Sequence, residues 1–269
     1  MRLGVLAILT WAALSSGVAL AAQCGQGEAG FKPWLEDFKQ VAINDGVSPE
    51  VVDQALGTAR FDPSVLSHDR GQASGQGDFA SFAARHITPA RVKRGKTMLI
   101  AYASPLDRIE QRYGVPGPVL VAIWGLETDF GATLGKYSTF SALATLAYDC
   151  RRGSLYQAEL IDALMIVQRG LLSPGQMRGA WAGELGQTQF MPSAYLKYGV
   201  SSNGGRRGDL IGNSADALAS TANFLHSHGW SRGGKWDEGQ TNFGALLEWN
   251  AAPVYAKTIA EFANRLAQP

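Results

Sequence analysis

Glu127 stands where a carboxylate is costly. In "AIWGLETDFGATLG", residues 122–135, an apolar run leads straight into it and a turn-prone "TDFG" follows. An ionised carboxylate at the end of a buried helix is penalised unless it is paired or protonated. A glutamic acid kept protonated by such surroundings is what general acid catalysis requires. The alternative is a helix-end charge with no chemical task. A second carboxylate would be needed for most two-acid mechanisms. Asp129 is too close in sequence to face the same way on a helix, and Asp149 and Glu184, the other acids in these motifs, are given no nucleophilic role.

Three further stretches carry unusual chemistry. In "WAGELGQTQFMPSAYLKYG", residues 181–199, Gln187 and Gln189 lie among Gly, Thr, Phe190, Met and Pro. Amides bond hydroxyl and acetamido groups, and aromatic rings pack on pyranose faces, so this composition suits sugar recognition. In "FGALLEWNAAPVYA", residues 243–256, Trp249 and Asn250 are adjacent and Tyr255 follows a turn and a half later. In "ALATLAYDCRRGSLY", residues 142–156, Arg151 and Arg152 precede a helical pattern. Each has a bland reading by itself: surface glutamine, core aromatics, solvated helix start.

The elements that must position these residues read as helices. Ser48-Pro49 and Thr88-Pro89 are N-caps followed by proline at the first helical position. The second opens a helix reaching Gly114, with a break or kink at Pro105. "GPVLVAIWGLET" is apolar all round and therefore buried on every face. Helical spacing also marks "STFSALATLAYD", "SLYQAELIDALMIVQRG", "SADALASTANFLHSHG" and one continuous stretch from Phe243 to Ala267. Strand alternation is nearly absent, so the fold class is mainly α. Residues 70–78 read as a surface loop.

At 46% hydrophobic and 17% charged residues, the 269-residue chain is globular, and its net charge of +1 leaves no basic footprint for nucleic acid. No phosphate loop, dinucleotide fingerprint, nucleophile elbow or zinc helix occurs. The expectation is an enzyme with no cofactor and no metal. Residues 1–21 read as a signal peptide: Arg2, an apolar run, then "ALA" as a cleavage site. A membrane anchor is the alternative. Lipidation at Cys24 is disfavoured by Gln23, where a small residue is required. Export makes the two cysteines, Cys24 and Cys150, a disulfide and places the protein in the periplasm.

Together, "YGVPGPVLVAIWGLETDFG", "SALATLAYDCRR", "GQTQFMPSAYLKYG" and "ALASTANFLHSHGW" resemble the B-type lytic murein transglycosylases, glycoside hydrolase family 103. The resemblance runs from about residue 31 to the C-terminus, making residues 22–269 one catalytic domain. It implies a lysozyme-like fold with little sheet, acting on peptidoglycan glycan strands. Carried over motif by motif, it makes Glu127 the catalytic acid. It makes Tyr102, Arg151, Arg152, Gln189, Trp249, Asn250 and Tyr255 substrate contacts. The expected reaction cleaves the MurNAc–GlcNAc bond without water and leaves 1,6-anhydroMurNAc ends. A hydrolytic muramidase and a non-catalytic peptidoglycan-binding scaffold are the alternatives. The protein is taken as a monomer, with any cell-wall complex partners unidentified. Two departures stand out. Some relatives carry Ser where this chain has Ala180. Some also have an EF-hand-like calcium loop where this chain has "SSNGGRRGD", residues 201–209, with Asp209 its one acid.

Overall fold

The computed structural model describes residues 23–71, 78–205 and 207–268. Residues 1–21, expected above to be a signal peptide, most of the 70–78 stretch and Arg206 lie outside the described residues. Thirteen helices are found among those described. Helices α1 (Phe31–Asn44), α2 (Pro49–Leu56) and α3 (Pro63–Gly71) are followed by α4 (Phe79–His86), α5 (Pro89–Ala101), α6 (Ala103–Tyr113) and α7 (Gly117–Thr128). Next come α8 (Thr139–Tyr148), α9 (Gly153–Gln168), α10 (Pro192–Tyr198), α11 (Ser214–Ser227), α12 (Phe243–Trp249) and α13 (Pro253–Ala267). The one sheet among the described residues is small. β1 (Tyr137–Ser138) runs antiparallel to β2 (Arg178–Gly179), with Tyr137 opposite Gly179.

The caps read from sequence are in place. Ser48 Oγ accepts from the Val51 N–H at 3.4 Å and Thr88 Oγ1 from the Arg91 N–H at 3.2 Å. Two boundaries differ from the sequence reading. The break near Pro105 falls at Tyr102, between α5 and α6. A proline ring collides with the carbonyl four residues earlier, so the distortion precedes the proline. The stretch after Phe243 is two helices rather than one. Asn250 is extended at φ −146°, and its Oδ1 accepts from the Ala252 N–H at 3.0 Å. That local turn competes with the helix, and Pro253 then starts α13 at its first position.

Two hydrophobic cores form. One is built chiefly by α1–α3 and α8–α10, the other by α4, α6, α7 and α11–α13. Phe224 and Trp249 pack against both and mark the seam. Helix α7 is the centre of the second core: Val119 to Trp124 are all buried, as its apolar composition requires.

Cys24 and Cys150 are joined, 126 residues apart in sequence. Gly25 donates to the Tyr148 carbonyl at 2.9 Å, which brings the start of the described chain onto the end of α8. A Cβ at Gly25 would collide with the Tyr148 ring, so only glycine allows this approach. Thiol labelling of unfolded, unreduced protein should find both cysteines protected; reactive thiols would refute the bond. Constraint of the unfolded chain sets the stabilisation at up to about 4–5 kcal/mol for so long a loop, and reduction should lower the melting temperature accordingly.

Candidate active site

Glu127 is the penultimate residue of α7, and the turn after it is tightly specified. Asp129, Phe130 and Gly131 all have positive φ, at 50°, 59° and 79°. Non-glycine residues rarely adopt this conformation, so it must be held from outside. Asp129 is paired with Arg91 at 3.3 Å and with Arg94 at 2.6 Å. Thr128 Oγ1 donates to the Gln187 carbonyl at 2.6 Å and accepts from the Gly131 N–H at 2.9 Å. The Phe130 ring folds back over Gly125, where an added Cβ would lie 2.8 Å from it and 2.9 Å from Phe262. Gly125 therefore lets the turn close.

The acid itself is gripped on one oxygen. Trp249 Nε1 donates to Glu127 Oε1 at 3.1 Å and the Tyr255 hydroxyl donates to the same atom at 2.8 Å. These donors come from the end of α12 and the first turn of α13, brought side by side by the break at Asn250. Burial lifts the Glu127 carboxyl from its ordinary 4.5 to about 7. The two hydrogen bonds oppose part of that shift and the charge of Glu184 adds to it. Burial, and then the neighbouring Glu127, hold the Tyr255 phenol well above its ordinary value, so it remains a donor. An indole N–H and a neutral phenol both keep their protons. With Oε1 accepting twice, the acid's own proton belongs on Oε2.

Glu127 opens onto a cleft of about 380 Å³ lined also by Glu184, Gln189, Phe190, Trp249 and Asn250. Phe190, Phe224 and Trp249 meet edge to face at 5.2–6.2 Å. Phe190 is buried and Trp249 half-buried, so Phe190 supports the cleft wall that Trp249 presents. Gln189 has φ 54° and its Nε2 donates to the Gly186 carbonyl at 2.6 Å. Strained backbone of this kind persists where the surroundings over-determine it, commonly at functional sites.

Four of the residues expected at the site lie elsewhere. Gln187 is turned inward, its Nε2 donating to the Ile211 carbonyl at 2.9 Å. Arg151 and Arg152 are both paired with Asp69 at the start of α9. Tyr102 stands edge-on to Trp124 at 5.2 Å and is not among the residues lining the cleft. Conversely, the cleft includes Glu159, whose carboxylate accepts from the Ser193 N–H at 3.0 Å and Oγ at 2.6 Å. Its only signal in the sequence was an acid within a largely apolar helical pattern.

Helices packed around a single gripped acid, with a minor sheet beside it, define a lysozyme-like fold. The chain belongs to the family described as "Transglycosylase SLT domain", which it matches over residues 30–240. It is 35% identical over 218 residues to the membrane-bound lytic murein transglycosylase B of Escherichia coli, covering 77% of this chain and 60% of that protein's length. The crystal structure of SltB3 from Pseudomonas aeruginosa in complex with NAG-anhNAM-pentapeptide is similar at TM-score 0.83 and 29% identity, over 90% of this chain and 80% of that one. An Escherichia coli lytic transglycosylase in complex with calcium is similar at TM-score 0.79 and 25% identity, over 92% and 96% of the two chains.

Calcium does not fit the loop after α10 here. Asp216 Oδ1 accepts from the Ser202 N–H and Oγ, both at 2.8 Å, and its Oδ2 from the Asp209 N–H at 3.0 Å. Asp209 Oδ1 accepts from the N–H groups of Ile211 and Gly212 at 3.0 and 2.8 Å. Backbone and hydroxyl donors thus occupy oxygens that a hard cation would need. Thermal melts in excess calcium and in chelator should coincide; a rise of several degrees with calcium would overturn this.

Glu127 also predicts a pH-dependent stability. Its folded pKa is raised, so its protonated form is favoured by folding, and the contribution present below 4.5 is lost as pH rises through about 7. Glu127→Gln, which keeps the oxygen acceptor and never ionises, should match the wild type at pH 4. At pH 8 it should be more stable by up to about 3 kcal/mol. Equal denaturant midpoints at pH 8 would show that the site does not resist ionisation.

Proposed function

We propose that this chain is a lytic transglycosylase of the periplasm that cleaves the MurNAc–GlcNAc bond of peptidoglycan without water. The observation that carries the reading is Glu127, lifted to about 7 and fixed through Oε1 while Oε2 is left to the cleft. The ligand of the similar SltB3 structure, NAG-anhNAM-pentapeptide, supports both the substrate class and the anhydro product.

In this mechanism the Oε2 proton passes to the glycosidic oxygen as its bond to C1 breaks. The acetamido group of the same sugar steadies the positive charge at C1, the substrate-assisted route. The ionised Glu127 then takes the proton of the 6-hydroxyl as that oxygen bonds to C1. Acid and base are one residue, restored at the end of the cycle. Trp249 and Tyr255 orient the carboxyl, and Gln189 and Asn250 position the sugar. A strand is processed by one copy of the chain, which is proposed to act as a monomer.

Mass analysis of products from murein sacculi decides between this reading and a hydrolytic muramidase. Transglycosylation gives ends lighter by one water. Glu127→Gln should lose about 10²–10⁴-fold in rate, as expected for removing the acid and the base together. Activity should fall as pH rises through about 7, where Glu127 loses its proton. Products with hydrated ends only, or a fully active Glu127→Gln, would refute the proposal.

A further inference from the structure

A second carboxylate of the cleft has no task in the reaction above. Glu184 sits in the loop between β2 and α10, where Gly179 pairs with Leu185 and Leu185 with Phe190. It lines the same cleft as Glu127. Its Oε2 accepts from the Ala182 N–H at 3.1 Å, and its own backbone N–H also bonds the carboxylate; burial raises its pKa above the ordinary value, and these two bonds oppose that rise by favouring the ionised form. The loop's main chain therefore fixes the group in place. No Lys, Arg or His lines this cleft among the described residues. Glu159 is committed to Ser193 through both oxygens, and Glu248 is exposed at the end of α12. Glu184 is thus the held carboxylate whose remaining lone pairs are available to a ligand.

A carboxylate taken from water without a cation needs other donors. A sugar hydroxyl can donate or accept, whereas an acetamido N–H only donates, and an ionised carboxylate only accepts. We propose that Glu184 accepts the acetamido N–H of the N-acetylmuramoyl unit being cleaved, turning that group's carbonyl oxygen toward C1. The inference rests on the transglycosylase reading. As the glycosidic bond breaks, the acetamido oxygen bonds to C1 and its nitrogen becomes positive. The hydrogen bond to Glu184 strengthens at that moment, so it stabilises the transition state more than the ground state. The 6-hydroxyl oxygen then displaces the acetamido oxygen from C1, its proton goes to Glu127, and the acetamido group is returned unchanged.

The groups facing Glu184 are Glu127 from α7, Tyr156 and Glu159 from α9, and Glu248 from α12. Arg152 lies over the Tyr156 ring, and Arg91 acts on Tyr255 from α5. Its charge is one of the influences holding the proton on Glu127, after burial.

The test uses the full exported chain with Glu184→Gln and Glu184→Ala. On sacculi, Glu184→Gln should lose about tenfold or more in kcat with a smaller change in KM. The basic limb of its pH profile should move to lower pH, because Glu127 loses a neighbouring charge. A purely structural role would lower the melting temperature and leave that limb in place. Inhibition by chitotriose and by cellotriose, neutral trisaccharides with and without acetamido groups, tests the contact itself. The wild type should prefer chitotriose, and Glu184→Ala should lose most of the preference. Wild-type kcat together with an unchanged preference would overturn the inference. If the wild type releases no anhydro ends, the transglycosylase reading fails instead, and the trisaccharide comparison still decides whether Glu184 recognises the acetamido group.

Discussion

Two hydrogen bonds on a single oxygen of Glu127 tie three helices of the second core into one chemical unit. The acid comes from α7, the indole from the end of α12 and the phenol from the start of α13. None of these helices places the acid alone. Helix α7 delivers it only because its other residues are buried on all sides, leaving its C-terminal end at the seam between the cores. Helices α12 and α13 reach it only because Asn250 and Pro253 stop a pattern that would otherwise continue. Trp249 packs against both cores as well as donating to Glu127, so the packing of the halves and the state of the acid are linked.

Holding the acid this way stores strain in the turn beyond it. Each non-glycine residue in left-handed conformation costs roughly 1–2 kcal/mol. Asp129 tolerates it best, because its short polar side chain can be paired outside the turn, as it is by Arg91 and Arg94. Phe130 has no such excuse. Its ring is buried against Trp124 at 5.8 Å, with the Arg94 guanidinium 5.3 Å from its centre, so apolar burial offsets the backbone term. Gln189, in the loop before α10, repeats the pattern. Backbone that relaxed chain would not adopt thus stands just after Glu127 and at Gln189 of the cleft lining, where it fixes the site's shape before a ligand arrives.

Features that depend on local chemistry were legible in the sequence. The N-caps at Ser48 and Thr88, the all-apolar α7 and the acid at its end each follow from residues within one or two turns. Features that depend on a distant partner were not. Gln187 and Gln189 look alike in the chain, yet the first is buried with its Nε2 on the Ile211 carbonyl, while the second lines the cleft with its Nε2 on the Gly186 and Leu134 carbonyls. Arg151 and Arg152 read as free cations until Asp69, some eighty residues earlier, is seen beside them. Glu159 was hidden because an acid in a helical pattern, here with Asp162 three residues on, normally marks the solvent side. The two short strands carried too few residues for alternation to register.

The bond between Cys24 and Cys150 has a mechanical side. It closes a covalent ring that contains α1 to α8, including the whole of α7 and its acid. Tension applied along the chain ahead of Cys24 passes directly to Cys150 and on toward α9, bypassing everything in the ring. The helix bearing Glu127 is thereby shielded from load. Helices α12 and α13, which supply the indole and the phenol, lie outside the ring, so Glu127 is held across its covalent boundary by hydrogen bonds alone.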